Sequence, residues 1–121
     1  MNTQLKVMTV QDENDFSLHM VKSMEEFGFS VIRKQKDGSK VPEYIKEAKP
    51  DVVILDAFMP GIDALGVLGR LKNIGIEKMP VIAVVMPNDN PRFEQELLEA
   101  GAAYCFIKPF EFGIMAERIL Q

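Results

Sequence analysis

Short runs of β-branched and aliphatic residues alternate with longer amphipathic stretches down the whole chain, and this alternation limits the fold more than any other feature of the sequence. Residues 5–10 (LKVMTV) form the first apolar run. Phe16, Met20, Met24 and Phe27 then recur at the spacing of one helix face, which predicts a helix over 12–27 that Gly28 stops. Residues 29–33 predict a second strand. Lys36-Asp37-Gly38-Ser39 carries turn chemistry leading into a helix over 41–48, whose first turn accommodates Pro42. Residues 51–55 are an unbroken Val/Ile/Leu run behind one Asp, as expected of a strand covered on both faces; Met59-Pro60-Gly61 punctuates the loop that follows, and Asp63 can cap a helix to about residue 73. Residues 80–86 predict a fourth buried strand. Asn90-Pro91 opens a helix that Gly101 ends, residues 103–107 make a fifth strand, and residues 110–120 a last amphipathic helix.

Strands that alternate singly with helices pair in parallel, because each crossover helix returns the chain to the same end of the sheet. The expected fold class is therefore α/β, with three layers (α/β/α), a five-stranded parallel sheet and the flavodoxin-like strand order 2-1-3-4-5. The 121 residues fit a single domain, and 47% hydrophobic with 26% charged residues is the composition of an ordinary globular chain. The apolar run at 81–86 is far short of the ~20 residues of a membrane-spanning helix, so no membrane segment is expected. No secretory signal is visible at the start of the chain, and a cytoplasmic location is the default. Cys105, the single cysteine, has no internal disulfide partner. A net charge of −4 has the wrong sign for direct nucleic-acid binding by this domain.

In open sheets of this kind, ligands sit beyond the carboxyl ends of the strands at the switch point, here between the first and third strands. Asp12 follows the first strand and Asp56 ends the third, so two carboxylates from distant parts of the chain should converge there, with Lys108 at the end of the fifth strand on the same rim. Two carboxylates suit Mg²⁺, a hard ion that takes oxygen ligands and keeps several waters. A carboxylate facing a lysine also suits phosphoryl transfer, with Asp56 as the nucleophile.

The segments LDAFMPGID (55–63), GAAYCFIKPF (101–110) and QDEND after the first strand resemble the receiver domains of bacterial two-component response regulators, and among them the receivers of the sporulation master regulators. The resemblance spans essentially the whole chain. It implies a receiver that accepts a phosphoryl group on Asp56, with Mg²⁺ held by Asp12, Asp56, the backbone carbonyl of Phe58 and, through a water, Gln11. It also implies Lys108 as the phosphate contact, with a cis bond before Pro109. The implied partners are a histidine kinase or phosphotransfer protein, and an output domain or partner protein on the face made by the fourth helix, fifth strand and fifth helix, which also supports homodimers. The chain would then be a phosphorelay signalling protein and no turnover enzyme, beyond self-phosphorylation and slow autodephosphorylation. It could be the amino-terminal part of a longer regulator.

Several positions depart from that pattern. Gln11 stands where the family has a second acid, so the pull on a divalent ion is weaker. Met86 and Pro87 replace the Ser or Thr and small residue at the end of the fourth strand, and a thioether cannot donate a hydrogen bond to a phosphoryl oxygen. Cys105 replaces the switching aromatic, and Ala64 a glycine. These changes favour an alternative, a degenerate receiver acting as a phosphorylation-independent interaction module. An aspartate-nucleophile phosphatase would need an acid where Phe58 stands, and a nucleotide binder a glycine-rich loop where QDENDF stands. Met86 and Cys105 also read as packing groups, the eight methionines as core filler, and His19 as a surface residue. Glu94, Glu96 and Glu99 form either a solvated face or part of a partner-selecting one.

Overall fold

The computed structural model of the chain describes residues 5–10, 15–108 and 112–120. Five strands, β1 (Lys6–Val10), β2 (Ser30–Lys34), β3 (Val52–Asp56), β4 (Val81–Met86) and β5 (Tyr104–Ile107), alternate with five helices, α1 (Asp15–Glu26), α2 (Val41–Ala48), α3 (Ala64–Asn73), α4 (Pro91–Ala100) and α5 (Phe112–Leu120). The strands form one parallel sheet in the order β2-β1-β3-β4-β5, the topology expected from the sequence.

Side chains on successive strand residues point to opposite faces, and the two cores follow from that period of two. On one face Met8, Val10, Val53, Leu55, Ile82, Val84 and Met86 pack beneath α2, α3 and α4 through Val41, Ile45, Val67, Leu68, Leu71 and Leu97. On the other, Val7, Val52, Ile54, Ala83, Val85 and Phe106 meet Met20 and Met24 of α1 and Met115 and Ala116 of α5. Every residue of β3 is buried, which is why its sequence is a continuous apolar run up to Asp56. Five of the methionines (Met8, Met20, Met24, Met86 and Met115) are core filler as read from the sequence, whereas Met79 is exposed.

The helix ends are fixed as their sequences suggest. Asp63 accepts the Gly66 N–H at 2.8 Å and Asn90 the Phe93 N–H at 3.1 Å, each satisfying a donor that the first turn leaves open. Three local readings shift. Asp51 lies before β3 rather than in it: its carboxylate accepts the Lys6 N–H at 2.8 Å while its own N–H donates to the Lys6 carbonyl at 2.9 Å, stapling β1 to β3. Phe27 lies beyond α1 and is half exposed, because Gly28 turns the chain with φ +93 and Phe29 takes the buried place at 6% exposure. A 3₁₀ turn at Gly38–Lys40 precedes α2. The expected start of the first helix at Asp12 lies outside the described residues.

Candidate functional site

The ladder registers bring the candidate residues to one rim. Val10 at the end of β1 pairs with Lys34 on one side and Leu55 on the other, so the carboxyl ends of β2, β1 and β3 are level. Asp56 pairs with Val85 of β4, and the ladder runs one step further through the Ala57 N–H to the Val85 carbonyl at 2.8 Å. On the far side the Lys108 N–H donates to the Met86 carbonyl at 2.9 Å, extending the β4–β5 ladder past its last strand residue. The backbone of Lys108 is thereby fixed at the rim.

Asp56 is one of two buried polar residues in the described structure, at 6% exposure. A carboxylate out of water is costly unless it is paired. Lys108 Nζ lies 3.5 Å from Oδ1, as the sequence suggested, and Lys36 Nζ lies 3.0 Å from Oδ2, which it did not. In the sequence Lys36 reads only as part of a turn. The available signal was its place two residues past the end of the strand that neighbours β1 in this order, on the same rim as Asp56.

A clasp between two loops sets the position of Lys36. Asp37 accepts the Ser39 hydroxyl at 2.7 Å and the Ser39 N–H at 3.1 Å, closing the 3₁₀ turn. These bonds hold the Asp37 carboxyl below its ordinary value, the Ser39 hydroxyl contributing most. The Gly38 N–H donates to the Pro60 carbonyl at 2.9 Å, so the loop after β2 is bonded to the loop after β3. Neither glycine at the contact tolerates a side chain: a Cβ on Gly38 would collide with the Ile62 carbonyl, and one on Gly61, at φ +88, would lie 2.8 Å from Asp37 Oδ1. Removal of both side chains lets the backbones touch.

The other sequence-derived site residues fall as follows. Phe58 is exposed and its ring stacks on Phe93 of α4, with centroids 5.4 Å apart and planes 7° from parallel, so the loop after Asp56 leans on the fourth helix. Met86 is buried to 1% in the core under α3 and α4, Pro87 is exposed, and Cys105 is half-buried against the same core. Desolvation, with Glu94 adding to it, pushes the Cys105 thiol up to about 11. His19, Glu96 and Glu99 are exposed and Glu94 is partly buried. Gln11, Asp12 and the bond before Pro109 lie outside the described residues.

Among the described residues no cluster of three acidic, histidine or cysteine side chains could hold a metal. The one buried carboxylate has an ammonium against each oxygen. Of the expected ligands, Asp56 and Phe58 are among the described residues, and a carboxylate with a nearby backbone carbonyl is an oxygen donor set that suits a hard cation.

A family model, response regulator receiver domain, matches residues 7–120. The fold is similar to that of the receiver domain of the putative response regulator NarL from Mycobacterium tuberculosis (TM-score 0.86, 24% identity, covering 98% of this chain and 95% of that one). It is also similar to chemotaxis response regulator CheY4 of Vibrio cholerae (TM-score 0.84, 22% identity, 98% of each chain). A third similar structure is a DNA-binding response regulator of the LuxR family from Staphylococcus aureus (TM-score 0.83, 22% identity, 96% of each chain). Among the described residues no helix is long and apolar enough to cross a membrane.

Proposed function

The chain belongs to the response regulator receiver domains, and on that premise we propose that it takes a phosphoryl group onto the Asp56 carboxylate and uses the change to control an output. The observation that carries this reading is a buried carboxylate at the carboxyl end of the central strand with two ammonium groups at 3.0 and 3.5 Å.

A carboxylate needs an activated donor, so the reading calls for a phosphohistidine on a kinase or phosphotransfer protein, or a small acyl phosphate. One Asp56 oxygen attacks phosphorus; the O–P bond forms as the P–N bond of the phosphohistidine breaks, and the freed imidazole takes a proton from solvent. The transferred group spreads negative charge over its equatorial oxygens, and cations fixed beforehand stabilise that charge without reorganising. Asp56, Lys36 and Lys108 together carry one net positive charge, and an aspartyl phosphate dianion brings these three side chains to neutrality. Asp56 and the backbone carbonyl of Phe58, with Asp12, would hold Mg²⁺, which would supply further positive charge to the phosphoryl oxygens. The output is an attached domain or a partner protein reached through the face of α4, β5 and α5, in the cytoplasm.

A second reading, an interaction module that works without phosphorylation, is favoured by Met86. Its side chain is buried in the core at the end of β4, where the resemblance puts a hydroxyl, so that position offers a phosphoryl oxygen no side-chain donor. One experiment decides between them. The protein is incubated with acetyl phosphate or phosphoramidate, with and without Mg²⁺, and its intact mass is followed. Gain of one phosphoryl group by the native chain but not by Asp56→Asn supports the acceptor; no gain under either condition leaves the interaction module.

A further inference from the structure

Three of the helices turn out of their last turn at a glycine. Gly28 after α1, Gly75 after α3 and Gly101 after α4 all take positive φ, a conformation open to a residue without Cβ. α2 turns out at Lys49 instead, with φ 50 and ψ 56, and among the described residues Lys49 is the one residue other than glycine with positive φ. An L-residue is held there against its steric preference. The bond that ends the helix, from the Lys49 N–H to the Ile45 carbonyl at 2.9 Å, is a backbone bond that glycine would make equally well, so the helix end itself does not call for a lysine. A side chain kept at a strained position points to a use for that side chain.

Lys49 lines a cleft of about 510 Å³, formed by the end of α2 and the residues up to Asp51 on one side and by residues 75–78 after α3 on the other. Ile45, Pro50 and Ile76 make it mostly apolar, and the first two are buried. Three exposed lysines, Lys46, Lys49 and Lys78, also line it, and among the described residues none of them has an ion-pair partner. The acids of the lining are Glu77 and Asp51, and the Asp51 carboxylate already accepts the Lys6 N–H at 2.8 Å. The Lys6 ammonium lies 3.5 Å from the Ala48 carbonyl, where it offsets the negative pole of α2. Cations therefore outnumber acids around an apolar hollow, and its volume falls in the range of about 300–1,000 Å³ usual for small-ligand pockets.

We propose that this cleft is a second ligand site of the domain, one that takes a small amphipathic organic anion, with an acyl or aryl body against Ile45, Pro50 and Ile76 and a single carboxylate held by Lys49 and the ammonium groups beside it. Apolar burial supplies the affinity, and the lysines select for charge, since each is solvated and its attraction is screened. The site is at the amino ends of the strands: Asp51 precedes β3 and Lys6 opens β1, whereas Asp56 ends β3, roughly 16 Å further along at about 3.3 Å per residue. It stands whether or not Asp56 takes a phosphoryl group.

The test is titration of the full chain with octanoate, octanol and acetate at low ionic strength, followed by amide chemical shifts and calorimetry. Octanoate should bind saturably, with the shifts gathered at residues 45–51 and 75–78. Octanol lacks the charge and acetate the apolar body, so each should bind at least about fivefold more weakly. Lys49→Gly removes the ammonium and relieves the corner; it should weaken octanoate about fivefold while unfolding at a urea concentration no lower than the native chain, and Lys49→Arg should bind as the native chain does. Should Lys49→Gly fail to fold, Lys78→Gln takes away a charge from the other side of the cleft and should show the same loss. Absence of saturable binding, shifts centred on other parts of the sheet, octanol binding as tightly as octanoate, or affinity in the lysine variant within about twofold of native overturns the proposal.

Discussion

At the scale of single residues, chemistry follows from how much water each group keeps. Asp56 retains almost none, and among the described residues Lys36 and Lys108 stand against its two oxygens. Cys105 is the opposite case, a group kept neutral by its surroundings. Its thiol is pushed up to about 11 by burial and by Glu94, against an ordinary value of 9.0, so its thiolate fraction near neutral pH is lower by roughly a hundredfold. Iodoacetamide should therefore alkylate the folded protein far more slowly than the urea-unfolded chain at pH 8, with a rate that is still climbing at pH 10. Equal rates in the two states would mean the thiol is not shielded. The same shift has a stability counterpart. The fold binds the proton more tightly than the unfolded chain, so this contribution is intact below the unfolded value of 9.0 and is lost as pH rises from there toward about 11.

At the scale of elements, two glycines make opposite predictions. Gly38 sits in the clasp between the loops after β2 and β3, where an added Cβ meets the backbone of Ile62. Gly69 lies on the exposed side of α3 with nothing within 4 Å of an added Cβ. Gly38→Ala should lose about 2 kcal/mol or more, since the obstruction is backbone and cannot swing aside. Gly69→Ala should gain about 0.5–1 kcal/mol by restricting the unfolded chain. Urea midpoints at unchanged slope measure both. The clasp also explains why the sequence did not disclose Lys36. Turn chemistry in Lys36-Asp37-Gly38-Ser39 was legible, and the 3₁₀ turn capped by Asp37 is there, but the direction of the loop is set by a hydrogen bond to Pro60, more than twenty residues away. The element boundaries were legible to within a residue or two wherever a stop or cap is local, as with Gly28, Asp63, Asn90 and Gly101. They shifted at Asp51, whose role is set by a bond to Lys6 across the sheet.

At the scale of the molecule, one sheet separates two cores that share its strands, and neither is complete without the other. Leu97 belongs to the core under α4 and Met115 to the core under α5; each is fully buried. Truncating either to alanine should cost about 2–5 kcal/mol, by lost transfer energy and the cavity left behind. Because both helices pack on the same strands, each variant should still unfold in a single transition at a lower urea midpoint. Far-ultraviolet circular dichroism and the tyrosine signal should coincide through that transition. Separate transitions for the two probes would show that the faces unfold independently.

The alternation of strand and helix, the strand order and the rim on which Asp56 and Lys108 would stand were all legible along the chain. Those are consequences of hydrophobic period, turn residues and chain connectivity, all readable along a line. The groups that stand against Asp56 emerged only in three dimensions. The approach of Lys36 depends on two loops touching through glycines, and contact between distant backbones leaves no local pattern in the residues that make it.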